Sequence, residues 1–258
     1  MPEGTAAVLD ARSLATAHRR LAALLRPGLA VLDVGCGTGA ITRGIAERVA
    51  PGGRALGVDA NAPFIEAARR AHGAIPGLTF EVADACRLPF SDTFDIVTAA
   101  RVLQWLADPL AAVRAMARAA KPGGRVIVLD FNHEKARWTP EPPASLERFY
   151  AAFLAWRASA GMDNVIADRL AALLAEAGLR DVTVTPQHEV ARRGGPEWAL
   201  RAGIWAQVAA TRGHQMVADG AIAEAERWAA EVEYREWVRA GGEAHTQYLL
   251  AAEGVKPT

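Results

Sequence analysis

Two hydrophobic rhythms alternate along the first half of the chain. Ala30–Val34, Arg54–Asp59, Leu78–Val82, Phe94–Ala99 and Arg125–Phe131 are short runs dominated by apolar residues. Runs of this length and type read as strands buried on both faces. Between them the apolar positions recur at helical spacing. The pattern predicts helices over Thr38–Arg48, after Asn61 with Pro63 in the first turn, and from Asp108-Pro109 to about Ala119. Asn61 and Asp108 are good N-caps, and a proline in the first turn sacrifices no hydrogen bond. Pro51-Gly52-Gly53 and Ser91-Asp92 mark turns, and Lys121-Pro122-Gly123-Gly124 breaks the last of these helices. Repeated strand–helix units predict a doubly wound, mostly parallel α/β sheet. The ligand crevice of such a sheet lies at the carboxyl ends of its strands.

The second half has a different texture. Residues 137–161 are rich in aromatics and proline and read as helical after Pro143. Val165–Ala177 is an amphipathic helix stopped by Gly178, and Asp181–Thr185 is a strand. Pro196 to about Ala240 reads as helical, and His245–Glu253 as a closing strand. Ahead of the first strand, Asp10–Leu25 carries a helical pattern closed by Arg26-Pro27-Gly28. The expected organisation is one domain over 1–258: an N-terminal helical segment 1–29, a core 30–131, and helical lid insertions 132–162 and 186–243.

Composition narrows the function classes. The 258 residues hold 29 Lys plus Arg and 29 Asp plus Glu, a formal net charge of zero. The broad positive footprint of a nucleic-acid binder is absent, so no nucleic-acid partner is expected. Two cysteines, Cys36 and Cys86, cannot build a disulfide framework or a cysteine metal site, so no metal is expected. Met1-Pro2-Glu3-Gly4 lacks the basic start and apolar core of a signal peptide. No uncharged apolar stretch reaches the ~18–20 residues of a membrane helix. A cytoplasmic protein with no membrane partner is the expectation; the pattern sets no oligomeric state.

The chemistry concentrates in Val31-Leu32-Asp33-Val34-Gly35-Cys36-Gly37-Thr38-Gly39. A strand ends in a carboxylate and then in three alternate glycines, at the mouth of a helix. Glycines let a ligand press against bare backbone. First-turn N–H groups and the helix dipole favour an electron-rich ligand. By itself the turn also fits a loose dinucleotide fingerprint, Gly35-x-Gly37-x-x-Ala40 followed by Asp59.

Taken together, four landmarks resemble the class I S-adenosylmethionine-dependent methyltransferases, small-molecule branch. They are the Asp33–Gly39 turn, Asp59 closing Leu56-Gly57-Val58-Asp59, Asp84-Ala85 ahead of Leu88-Pro89-Phe90, and Phe94-Asp95-Ile96-Val97. Leu106-Ala107-Asp108-Pro109 and Lys121-Pro122-Gly123-Gly124 also match. The resemblance covers residues 31–131, and beyond Phe131 the chain departs from the quinone-precursor pattern. It implies a Rossmann-like seven-stranded sheet with an antiparallel last strand, and S-adenosyl-L-methionine as cofactor. It also implies cofactor contacts from Asp33, Gly35, Cys36, Gly37, Gly39, Asp59, Ala60, Asp84, Ala85 and Arg101. Asp59 would take the ribose diol, Asp84 the adenine amino group with the Ala85 N–H on a ring nitrogen, and the backbone around Arg101 the methionyl end, while the Arg101 side chain reads either as pairing with a carboxylate of cofactor or acceptor or as solvated. Cys36 reads as space-filling.

The expected reaction is methyl transfer to an O, N or C atom of a small aromatic or lipophilic acceptor. A hydroxyl acceptor calls for a general base. His133, past strand five, and His18, on the N-terminal helix, are the candidate catalytic residues, with a structural histidine as the other reading of each. Glu134 and Tyr150 are weaker alternatives. Gln104 and Trp105 read either as covering the cofactor or bordering the acceptor pocket or, for the tryptophan, as a core residue, and the core reading is preferred. Trp138, Phe149, Tyr150, Phe153, Trp156, Trp198 and Trp205 divide between helix packing and a pocket lining. The competing functions are a nicotinamide-dependent oxidoreductase, which shares the glycine turn and Asp59, and a non-catalytic scaffold of the same fold.

Overall fold

A computed structural model describes residue 10 and residues 12–258. Met1–Gly4 and part of the predicted N-terminal helix fall on residues 1–9 and 11, outside the described residues. The chain forms two compact units. A sheet unit holds the described residues up to Phe131, with Ile166–Gln187 and Leu249–Thr258; an aromatic unit holds Asn132–Val165 and His188–Tyr248.

In the sheet unit, β1 (Ala30–Val34), β2 (Arg54–Asp59), β3 (Leu78–Val82) and β4 (Phe94–Ala100) stand where the apolar runs place them. The strand order is β3-β2-β1-β4-β5-β8-β6, with β5 Ala120–Thr139, β6 Arg180–Pro186 and β8 Ala244–Val255. Pairs β1–β2, β2–β3, β1–β4 and β4–β5 are parallel, and β6–β8 is antiparallel. The order places β1 and β4 side by side, so consecutive crossovers leave in opposite directions from that point. Their carboxyl ends form the switch point where doubly wound sheets bind ligands.

The helices α1 (Leu14–Ala17), α2 (Arg19–Leu24), α3 (Ala40–Val49) and α4 (Ala62–His72) cover one face of this sheet, where Leu14, Leu21, Ile45 and Ile65 pack on Val31 and Ile96. The helices α5 (Pro109–Ala119) and α7 (Ile166–Glu176) cover the other, packing Met116 and Leu170 on Leu32, Val97 and Val126. The predicted caps form: Asn61 accepts from the Phe64 N–H at 3.1 Å and Asp108 from the Ala111 N–H at 2.9 Å.

Four sequence expectations are corrected. The N-terminal helical pattern is broken at His18, whose backbone (φ −148, ψ 64) separates α1 from α2. Lys121–Gly124 is a bulge inside β5 rather than a connector ahead of it, because Ala120 already pairs with Phe94 and Arg125 resumes opposite Ile96. β5 continues to Thr139, past the expected end at Phe131 and through the start of the segment read as a helical insertion. Residues 186–243 are not helical throughout: β7 (Glu189–Arg192) pairs antiparallel with Ala244–Gln247 of β8. Four residues that find a partner strand about fifty positions later leave little local trace.

The aromatic unit holds α6 (Ala144–Ser159), α8 (Trp198–Ala202), α9 (Ile204–Ala210), α10 (Arg212–Ala218) and α11 (Glu224–Glu236), then a π-helical turn over Trp237–Gly241. Its core is built from Leu146, Phe149, Phe153, Trp198, Trp205, Tyr234 and Trp237. No helix among the described residues is long and apolar enough to cross a membrane.

Candidate functional site

The glycine turn rises from β1 with Gly35, Gly37 and Gly39 all at positive φ (71°, 56° and 84°). L side chains rarely adopt that conformation. Packing adds a second reason at two of the three. A methyl built at Gly35 would lie 2.3 Å from Val102 Cγ2, and one at Gly39 would lie 2.6 Å from the Phe80 ring.

The turn amides do not stand free as the sequence suggested. Gly35 and Cys36 both donate to the Val58 carbonyl, at 2.7 and 3.0 Å, and Gly39 donates to the Cys36 carbonyl at 3.0 Å. Gly37 donates to Asp59 Oδ2 at 2.9 Å. What the turn offers a ligand is therefore close approach to bare backbone more than a set of open donors. Burial and the nearby Asp33 and Asp59 carboxylates hold the Cys36 thiol well above its usual range, in its neutral form.

Asp59 ends β2 and is half-buried. Besides Gly37, its other oxygen accepts from the Asn61 N–H at 2.9 Å, so one carboxylate ties the glycine turn to the start of α4 across Ala60. Each oxygen retains acceptor capacity after one amide bond. Asp84 follows β3, is exposed, and caps a single 3-10 turn over Ala85–Arg87 by accepting from the Cys86 N–H at 2.9 Å. β2 and β3 are neighbours in register, so both acidic residues lie at the same edge of the sheet.

Asp33 is buried on the α1–α4 side of β1 and accepts from the Thr42 hydroxyl at 2.7 Å. Burial, helped by Asp59 and opposed by Thr42, pushes its carboxyl up to about 7. It secures the first turns of α3 to β1. Arg101, just past β4, is buried with φ +63; its N–H donates to the Leu129 carbonyl at 2.7 Å and its guanidinium lies 5.6 Å from the Phe131 ring centre. Gln104 is buried and its N–H donates to Asp130 at 3.1 Å. Trp105, read from the sequence as a core residue, is 39% exposed, because it sits on a one-turn 3-10 segment between β4 and α5.

The two candidate bases fall in different units. His18, in the sheet unit, is fully buried with Nε2 3.2 Å from Thr98 Oγ1. His133, in the aromatic unit, packs edge-on to Phe153 and Trp205. Burial lowers both imidazoles to about 3, with Arg101 adding at His18 and Arg157 at His133. Such rings stay neutral and accept protons weakly. Tyr150 donates to the His133 carbonyl at 2.5 Å, and burial raises its phenol above its ordinary range.

The structure thus brings Asp33, Gly35, Cys36, Gly37, Gly39, Asp59, Ala60, Asp84, Ala85 and Arg101 to the carboxyl ends of β1–β4, and places His133 in the other unit. Sequence reasoning missed Thr42, Thr98 and Val102. Thr98 had a usable signal: alternation puts it on the same face as Ile96 and Ala100, the face of Asp33. No cluster of acidic, histidine and cysteine side chains suited to a metal occurs among the described residues.

Residues 32–128 match a family model described as a methyltransferase domain. The chain is 33% identical over 168 residues to an uncharacterized 37.1 kDa protein in transposon TN4556 of Streptomyces fradiae, covering 65% of this chain and 48% of that protein. It is 39% identical over 112 residues to the ubiquinone/menaquinone biosynthesis C-methyltransferase UbiE of Idiomarina loihiensis, covering 42% of this chain and 45% of that one. The chain spans about half the length of these relatives. Among solved structures, the YcgJ protein of Bacillus subtilis is similar with a TM-score of 0.58 at 20% identity, covering 95% of this chain and 96% of that one. Phosphoethanolamine N-methyltransferase 2 of Haemonchus contortus, solved with S-adenosyl-L-methionine, gives 0.57 at 18% identity, covering 91% of this chain and 50% of that one. These two likenesses speak for the fold. Residues 32–128 thus match a methyltransferase-domain family, and the fold is shared with a methyltransferase solved with S-adenosyl-L-methionine.

Proposed function

We propose that this protein binds S-adenosyl-L-methionine and catalyses transfer of its methyl group to a small-molecule acceptor. The observation that carries the reading is Asp59: a half-buried carboxylate at the end of β2, held rigid by the Gly37 and Asn61 amides with lone pairs to spare. That is what recognition of a ribose diol requires. The Thr38 hydroxyl, buried in the glycine turn without a hydrogen-bond partner among the described residues, is a further polar group such a ligand would satisfy.

When bound, the cofactor supplies an electrophilic methyl on a sulfonium; the chain's own contribution is alignment and exclusion of water. In this reading Gly35, Cys36, Gly37 and Gly39 allow the ligand against the backbone. Asp59 and Ala60 flank the ribose, Asp84 accepts from the adenine amino group beside Ala85, and Arg101 faces a carboxylate. Asp33 acts by holding α3 in place through Thr42. The weak basicity of His18 and His133 favours an acceptor that needs no strong base, an amine or an activated carbon, over an alcohol. Sequence similarity to C-methyltransferases points the same way, toward a carbon of an aromatic or quinone-like ring.

Calorimetric titration with S-adenosylhomocysteine, with NADH as comparison, tests the proposal. Micromolar binding of the homocysteine nucleoside alone is expected. Binding of NADH alone, or of neither, overturns it in favour of an oxidoreductase or a scaffold.

A further inference from the structure

His18 is fully enclosed, and the reading of it as a base leaves its geometry unexplained. Its ring bridges from the α1–α2 break to β4, where Nε2 lies 3.2 Å from Thr98 Oγ1. Thr98 is the register partner of Asp33. The pair thus stands two residues, roughly 7 Å, below Gly35 on the face covered by α1–α4. The other ring nitrogen, Nδ1, is buried with no hydrogen-bond partner among the described residues.

The hydroxyl allows two tautomers, which differ in what the ring can offer a ligand. Thr98 is itself fully buried, and among the described residues its hydroxyl has a hydrogen-bond contact with His18 alone. In the protein alone either tautomer strands one donor, the threonine hydrogen if Nε2–H donates to Thr98 or the Nδ1–H if Thr98 donates to Nε2, at a cost on the order of 1–3 kcal/mol, and only the second leaves the ring with a donor to offer a ligand. With Thr98 donating to Nε2, the imidazole remains neutral and Nδ1 carries the hydrogen. The result is a buried N–H donor held in place, seeking an acceptor. Arg101, three residues along β4 from Thr98, lies close enough for its positive charge to act on the imidazole. A neutral donor with a cation near it suits an anion, and a planar carboxylate above all.

Resting on the methyltransferase reading, we propose that His18 is a cofactor-positioning residue: fixed through Nε2 by Thr98, it donates from Nδ1 to the carboxylate of the cofactor's amino-acid end. The role is to set the depth of the methionyl chain against β1 and β4, and it moves no proton during the reaction.

Two substitutions separate the ring nitrogens, because Asn presents its amide near the Nδ1 position and Gln near the Nε2 position. His18→Gln keeps a partner for Thr98 and loses the proposed donor; His18→Asn does the reverse. Calorimetry would compare S-adenosylhomocysteine with 5′-methylthioadenosine, which has the same nucleoside but no amino-acid end. In His18→Gln we expect S-adenosylhomocysteine to bind about tenfold or more weakly, the loss of one charge-assisted hydrogen bond. Methylthioadenosine should be held within about twofold and His18→Asn should stay near wild type. Equal losses for both ligands, a larger loss in His18→Asn, or unchanged binding of S-adenosylhomocysteine in His18→Gln would each overturn the assignment. The wild-type protein gives a check that survives any folding defect. In ¹⁵N-histidine-labelled protein a Nδ1–H resonance should move on adding S-adenosylhomocysteine and stay in place with methylthioadenosine. Movement with both, or with neither, rejects the carboxylate contact. Failure of the wild type to bind either nucleoside would instead remove the methyltransferase reading on which the proposal stands.

Discussion

In the sheet unit, polar side chains hold backbone. Asp59 takes two amides, Asp84 takes one, and Asp33 takes the Thr42 hydroxyl that anchors α3. In the aromatic unit, polar atoms serve rings. Trp138 Nε1 donates to the Tyr234 hydroxyl at 3.0 Å, which donates on to the Ala202 carbonyl at 2.9 Å, and the Tyr150 ring meets Trp205 edge-on at 4.6 Å. The difference teaches where each unit is vulnerable. Carboxylates at strand ends shape a ligand site and can be lost with the core intact. A continuous aromatic core carries stability, so damage there is felt as unfolding.

Acid should divide the units most strongly. His133 and His245 in the aromatic unit are lowered by burial to about 3 and about 4. Both take up protons more readily when unfolded, so their stabilising effect is complete above pH ~6.5 and falls as pH drops toward 4. In the sheet unit His18 acts in the same direction. Asp33, raised to about 7, opposes it: its native form keeps a proton that the unfolded chain releases, so its contribution is largest at low pH and fades as pH rises from about 4 to about 7. Hydrogen exchange corrected for intrinsic rates should show α6 and α11 losing protection before β1 and β4 between pH 7 and 4.5. The reverse order would break the comparison.

Phe149→Ala opens a cavity in the fully buried heart of the aromatic unit. A loss of about 3–5 kcal/mol in urea unfolding is expected; a loss below about 1 kcal/mol would mean the rings repack freely. Asp59→Ala should weaken S-adenosylhomocysteine binding about a hundredfold, equivalent to ~2.7 kcal/mol, and speed exchange of the Gly37 amide. If affinity falls with no change at Gly37, the carboxylate serves the ligand alone. Gly35→Ala strains a positive-φ residue and drives a methyl into Val102, at a cost of roughly 1–3 kcal/mol in thermal unfolding. Adding Val102→Ala should recover the part due to the clash; no recovery would assign the whole cost to the backbone. Least affected should be Trp228→Ser, at a site 58% exposed on α11, with a change within about 0.5 kcal/mol. A larger loss there would show that the unit's stability extends to its surface.

The two units also differ in how far their structure can be read from the chain. Apolar runs gave β1 to β4 almost to the residue, and Asn61, Pro63, Asp108 and Pro109 marked two helix starts, because caps and periodicity act over a few residues. The turn glycines and the acids Asp59 and Asp84 were visible for the same reason. The aromatic unit offered no such local key. β7 depends on a partner strand far along the chain, the end of β5 lies past an apolar run, and the helical stretch after Pro196 divides into four helices and a π turn. Even in the sheet unit, Trp105 looked like core and is exposed, since a tryptophan's hydrophobicity does not reveal which way a short 3-10 turn presents it.

The sequence by itself determined the order of strands and helices in the sheet unit, the place of the glycine turn, and the methyltransferase-domain model that residues 32–128 match. These follow from steric and hydrogen-bonding preferences that neighbouring residues satisfy among themselves. Only the tertiary structure decided what each polar group touches. Gly37 reaches Asp59 across 22 residues and His18 reaches Thr98 across 80. Those partners exist because strand order and register bring distant positions together, and burial then makes each unpaired donor costly enough to fix its geometry.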